Sequence, residues 1–453
     1  MRRVAHRPGA LVRAAVTGGA LGLLVFALFL LLNQASLGRD LPTARAQVAD
    51  AFASGALQDE DWRYGDTNIG RHQYNDCLIL WQALDQRAPS AQLAVSPLLD
   101  LPQAAESRCA RLRRFVAGEI AGDPVFYHRY LHAHTTVARI LLPILSVAQI
   151  RTLYHSTLTL LVLAGIALSL TALARRRTPE ALFWLIVFLV FSRWFGLESY
   201  GQSLGHGPAD IVHLSFLLVL AAAAARGGLS AKTAILMSGL FGAGVMLFEF
   251  LTGGIPLGLA AVIGGLPFAL RRTEGERVTD RIAEAAIAFC AGAGACLLAK
   301  LGLALAVFGP GPLLDYAGQL GARMGLLNHA EMAGVGPLDL AKKLAKGVNG
   351  LAAGMHLMAG FMLVLAVAAG GWGYARTRAA QDPELKRAAA ALLLSNLAIA
   401  ALLALFWQHT VVHAWFMVRT LTWTIASGFA LFALALWQVN SGERSSTVQP
   451  RSG

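Results

Sequence analysis

Ten stretches of almost unbroken apolar residues mark this chain as all-α and polytopic. They fall at 14–33, 156–174, 181–197, 211–225, 233–250, 255–270, 282–308, 351–371, 388–406 and 414–437, and a membrane span needs roughly 20 such residues. Two further observations agree. The 453 residues are 56% hydrophobic and only 14% charged, with mean hydropathy +0.55, well above the apolar content of soluble domains. The apolar residues run continuously rather than alternating, which indicates helices and not a β-barrel.

The formal net charge of +12 reports topology rather than nucleic-acid binding. Basic clusters at Arg2, Arg3 and Arg7, at Arg175 to Arg177, at Arg226 and Lys232, at Arg271, Arg272, Arg277 and Arg281, and at Arg376, Arg378, Lys386 and Arg387 recur on every second side of the apolar stretches. That is the positive-inside pattern. It predicts an even number of spans with both termini in the cytoplasm.

The chain then divides into a cytoplasmic N-terminus (1–13), a first span (14–33), a long periplasmic or extracellular segment (34–155), a multi-span domain (156–437) and a cytoplasmic tail (438–453). The first span reads as a retained anchor, because its apolar run exceeds a signal-peptide core and no small-residue cleavage site follows. The tail, "NSGERSSTVQPRSG" from Asn440, has the composition of a disordered segment. No Gly-rich nucleotide fingerprint, Walker motif or internal repeat is visible, and the last point weighs against an inverted-repeat transporter.

Cys77 and Cys109 lie in the outer segment, where an oxidising compartment permits a disulfide; two unrelated buried thiols are the alternative. Cys290 and Cys296, in the seventh span, read as small packing residues.

An ionisable side chain inside a span costs about 2.5–3.5 kcal/mol at the helix centre, and usually has a task. Arg193, His213, Glu249, Lys300, His356 and Arg419 fall within or at the edge of spans, all in the middle or outer part under the expected topology. Snorkelling explains any one of them. A polar site open to the outer face explains all six.

Two parts of the outer segment carry candidate chemistry. "YGDTNIGRHQYNDCLILWQAL" (64–84) holds Asp66 and Asp76, each a general base or, equally, a surface acid or helix cap. "FYHRYLHAHTTVARILLPILSVAQIR" (126–151) places His128, His132, Thr135 and Arg139 at helical spacing, as one face of an interfacial helix that Pro143 interrupts. His128 and His132 have a zinc-like i, i+4 spacing, but no HExxH glutamate and no third ligand accompany them. Near the C-terminus, "WQHTVVHAWFMVR" (407–419) sets His409 and His413 one turn apart, with Arg419 further along. Such groups suit an anionic lipid head, since arginine holds phosphate oxygens through a planar fork; an interfacial His/Trp belt is the bland alternative.

These pieces together resemble the GT-C superfamily of multi-span glycosyltransferases that use polyprenyl-phosphate-linked sugars. A narrower similarity, to a bacterial group of GT-C-like membrane proteins, rests on "YNDCLIL" (74–80), "YHRYLHAH" (127–134), "QIR" (149–151) and "HTVVHAWFMVR" (409–419). Leu131 and Ala133 stand where that group has Trp and Gly. Pilin arabinofuranosyltransferases share the general plan.

The resemblance implies residence in the bacterial cytoplasmic (inner) membrane and transfer of a sugar from a polyprenyl-phosphate donor to a cell-envelope acceptor, which is a glycan, a lipid-linked saccharide or a pilin-like protein. It needs neither cofactor nor metal, and no nucleic acid. Asp76, with Asp66 as alternative, would deprotonate the acceptor hydroxyl. His132, His409, His413 and Arg419, with Arg139 or Arg151 in reserve, would hold the leaving phosphate. His128, Arg193, His206 and Glu249 would line the substrate cavity. A flippase or transporter for lipid-linked sugars is one alternative. An O-antigen ligase or polymerase component is another, and would draw on Arg323, His329, Lys342, Lys343 and Lys346 of the 309–350 segment.

Overall fold

The computed structural model describes residues 8–61, 63–64, 67–68, 73–100, 106–176, 178–249, 252–271, 277–326, 336–350, 356–379 and 382–446. A first long helix, α1 (Pro8–Ser36), leads into a layer of short elements: α2 (Leu41–Ala53), β1 (Arg63–Tyr64), β2 (Thr67–Asn68), α3 (Gln73–Leu84), α4 (Ser90–Val95), β3 (Leu98–Asp100), α5 (Arg108–Val116), β4 (Pro124–Phe126) and α6 (Ala133–Leu141). A helical bundle follows, of α7 (Val147–Arg176), α8 (Pro179–Trp194), α9 (Gly207–Ala225), α10 (Ala231–Leu247), α11 (Gly254–Gly265) and α12 (Val278–Phe308). Then come α13 (Gly311–Arg323), α14 (Pro337–Gly350), α15 (His356–Arg378), α16 (Pro383–Leu405), α17 (Trp407–Val412), α18 (Ala414–Met417) and α19 (Leu421–Ser446).

Every expected apolar stretch carries helix where it is described. Six helical segments are long and apolar enough to cross a membrane: α1, α7, α9, α12, α16 and Val418–Val439. Helix α10 and the segment Gly254–Phe268 are apolar but shorter. In the bundle, α1, α10 and α12 meet at glycines. A Cβ on Gly18 would run into the Ala288 carbonyl, one on Gly22 into that of Gly292, and one on Gly242 into that of Phe289. Without a hydrophobic drive between helices in lipid, such close backbone approach supplies the packing.

The layer between α1 and α7 has its own core. Trp81 stacks on Phe115 at 4.3 Å, with Val48, Leu80 and Leu112 buried around them and Ile150 and Tyr154 contributed by α7. A Cys77–Cys109 disulfide ties α3 to α5, and β3 pairs antiparallel with β4. The layer seats on one end of the bundle through buried polar contacts: Asn33 of α1 donates to the Ala94 carbonyl at 2.7 Å, and Lys300 of α12 donates to that of Val95. At the opposite end, Pro179, Phe268, Arg271, Val278 and Glu384 surround one hollow, and Arg281 and Arg387 pair with Glu284 and Glu384. The two ends therefore differ in kind: one carries the folded layer, the other the basic helix starts.

One local expectation is corrected. His128, His132 and Arg139 do not share a helical face, because α6 starts only at Ala133. His132 precedes it in the left-handed region, at φ 65°, an unusual place for a non-glycine residue. Pro143 does separate α6 from α7, as a residue without an amide hydrogen should.

Candidate functional site

Asp76 lies in the first turn of α3 and is completely buried. Its Oδ2 accepts from Arg151 Nε at 2.8 Å and Nη2 at 2.5 Å, and its Oδ1 accepts from the Leu204 amide at 2.6 Å. Arg151 also donates to the Gln73 side chain at 3.2 Å and to the Ala56 carbonyl. A general base must reach the hydroxyl it deprotonates, and this carboxylate is closed in and engaged on both oxygens. Asp76 and Arg151 thus form a buried ion pair joining α3 to α7. The neighbouring Asn75 meets His206 at 3.3 Å, and the His206 ring stacks on Phe416 at 4.3 Å. Asp66 lies outside the described residues.

Arg419 and Arg139 are also internal. Arg419 Nη2 donates to Asp210 Oδ2 at 2.5 Å and its Nε to the Phe195 carbonyl at 3.2 Å, with its guanidinium over the Phe195 and Tyr200 rings. Arg139 donates to Asn33 Oδ1 at 3.0 Å and to the Gln82 carbonyl at 2.9 Å, so its network joins α1, α3 and α6. Burial pulls its pKa down to about 10. Asp210 escaped the sequence reading, although a cation inside a span calls for a counter-ion, and that demand was the available signal.

His132 is buried, and its Nε2–H donates to the Tyr127 carbonyl at 2.9 Å. Its Nδ1 has no hydrogen-bond partner among the described residues. Burial, then the charge of Lys300, hold its pKa well below the usual histidine value. With Nε2 donating to its own segment, His132 is held as a neutral imidazole. Glu249 accepts from the Thr252 amide at 2.6 Å and the Ile255 amide at 2.9 Å, as a cap on the start of α11. Arg193 is exposed, with its guanidinium over the Trp194 ring at 5.2 Å. His128 sits in the layer, its Nδ1 2.9 Å from Ser96 Oγ.

A different grouping forms where the layer meets α13 and α17. Arg323, at the end of α13, donates to Tyr130 Oη at 3.3 Å, and no carboxylate lies within ion-pair distance of it among the described residues. It acts electrostatically on Tyr127, Tyr316 and His413. His409 and His413 have ring centroids 4.5 Å apart. Burial, then the charge of Arg323, pull the His413 pKa down to about 4. Arg129 meets Asp315 at 3.5 Å. A guanidinium without a carboxylate, among tyrosine hydroxyls and two imidazoles, can receive an anionic oxygen. His329 lies outside the described residues. No family model, curated protein or solved structure matches the chain.

Proposed function

We propose that this chain is a membrane glycosyltransferase that moves a sugar from a polyprenyl-phosphate donor to a cell-envelope acceptor on the outer face of the cytoplasmic membrane. The observation that carries the reading is Arg323: a half-buried guanidinium with no carboxylate partner among the described residues, held against Tyr130 beside His413. A prenyl-phosphate leaving group develops charge on one phosphate, and fixed donors aimed at it lower the barrier. In this reading Arg323, His409 and His413 hold that phosphate. Arg151, Arg419 and Arg139 hold the scaffold, and Asp66 takes the acceptor's proton. All ten apolar stretches then count as spans, with the shorter helices crossing as part of the bundle, and the folded layer faces outward.

A ligase- or polymerase-type reaction on a lipid-linked glycan is the second reading, favoured because Arg323, which meets no carboxylate among the described residues, comes from the 309–350 segment. Both readings share the donor chemistry.

The test uses the full chain in lipid nanodiscs with a panel of synthetic prenyl-phosphate and prenyl-diphosphate sugars, following transfer and prenyl-phosphate release by mass spectrometry. Arg323→Gln should cut turnover by about 10²-fold or more, as removal of a transition-state donor does, with folding intact. Asp66→Asn should abolish it. Donor binding without transfer across the panel, with envelope acceptors present, would make the chain a carrier of lipid-linked sugars instead.

A further inference from the structure

His128 ends a hydrogen-bond chain that starts inside the bundle. Lys300, in α12, is 3% exposed and pairs with no carboxylate among the described residues. It donates to the Val95 carbonyl and, at 3.1 Å, to Ser96 Oγ. Ser96 Oγ in turn lies 2.9 Å from His128 Nδ1. An ammonium only donates. Ser96 Oγ therefore accepts from Lys300 and keeps its own hydrogen free to donate to Nδ1. An imidazole that accepts at Nδ1 is neutral and carries its proton on Nε2. Burial, then the Lys300 charge, lower the His128 pKa against an opposing pull from Asp315 on α13, which agrees with a neutral ring.

The surroundings say what that Nε2–H would meet. His128 is half-buried, and Nε2 makes no hydrogen bond among the described residues. The ring packs beside Phe126, at 6.2 Å, and edge-on against Phe308, at 4.7 Å, two rings that themselves meet at 4.7 Å. Phe308 is the last residue of the membrane-length helix α12. An N–H donor beside an aromatic wall at the end of a span, with a buried cation behind it, fits the junction of an apolar tail and an anionic oxygen.

We propose that Lys300 and Ser96 are positioning residues that lock His128 in the Nε2–H tautomer, so that it binds a phosphate oxygen of a membrane-dissolved amphiphile. The choice of ligand rests on the transferase reading; the tautomer lock does not.

The experiment is ¹⁵N NMR of histidine-labelled full-length protein in nanodiscs of zwitterionic lipid at neutral pH, with His128→Asn assigning the resonance pair. The native protein should show an unprotonated Nδ1 and a protonated Nε2. A protonated Nδ1, or an imidazolium, overturns the lock. Ser96→Ala should mix the tautomers; if it unfolds the chain, the native spectrum still decides.

Farnesyl phosphate should shift the Nε2 signal, and His128→Asn should weaken its binding about tenfold, the scale of one hydrogen bond to a charged group. A shift with phosphatidic acid as well also supports the proposal and widens the ligand to phosphate lipids generally. A shift with inorganic phosphate alone, or with none of the three, overturns the ligand. Binding with this shift but no sugar transfer sinks the transferase and leaves the role of His128 standing.

Discussion

Two ion pairs in the interior of this protein are made before any ligand arrives. Asp76 meets Arg151 and Asp210 meets Arg419, each pair almost free of solvent, and breaking one leaves an uncompensated ion in a dry interior. Asp76→Asn should therefore lower stability by about 3–5 kcal/mol, read by thermal unfolding in detergent, and any lost activity should follow from that. Full stability with abolished transfer would return Asp76 to catalysis. Histidine protonation adds a pH signature. His413 titrates at about 4 in the folded chain against about 6.5 unfolded, so between these values the unfolded state binds the extra proton. Stability should fall as pH drops from about 6.5 towards 4, and His413→Gln should flatten that slope. An unchanged slope would show that His413 titrates normally.

At the scale of elements, helix contact is set by where the chain lacks side chains. Gly22 faces the backbone of Gly292, whereas a Cβ on Gly19, in the same helix, would meet nothing within 4 Å. Gly22→Ile should abolish folded expression, and Gly19→Ile should leave it near the native level, as size-exclusion profiles would show. Equal tolerance would mean that α1 and α12 are not so closely packed. The disulfide is the corresponding device in the layer. It links residues 32 apart, and Cys77→Ser with Cys109→Ser should cost about 2–5 kcal/mol, measured by chemical unfolding of both forms.

On the scale of the whole molecule, the asymmetry of the two ends makes a topological prediction. Val125 is 48% exposed in the layer, while Arg226 follows α9 at the basic end. In intact cells of a cysteine-free background, Val125→Cys should react with a membrane-impermeant maleimide, and Arg226→Cys only after permeabilisation. The reverse pattern would invert the proposed orientation and place the Arg323 cluster in the cytoplasm.

The all-helical, membrane-embedded character was legible in the sequence because long apolar runs have one low-energy use in lipid, and continuous runs leave their backbone groups satisfied only as helix. The importance of Arg139, Arg151 and Arg419 was legible too, since cations at such positions demand partners. Their roles were not. An arginine paired with Asp76 and one waiting for phosphate look alike in a sequence; the difference is whether a carboxylate 75 or 209 positions away in the chain folds against it. The helical spacing of His128 and His132 misled for a related reason: a left-handed residue at 132 breaks the turn that the spacing presumes. The sequence by itself determined the solvent, the secondary structure and the supply of charge. Only tertiary structure decided which charges cancel and which, like Arg323, meet no carboxylate among the described residues, because pairing depends on contacts between residues far apart in the chain.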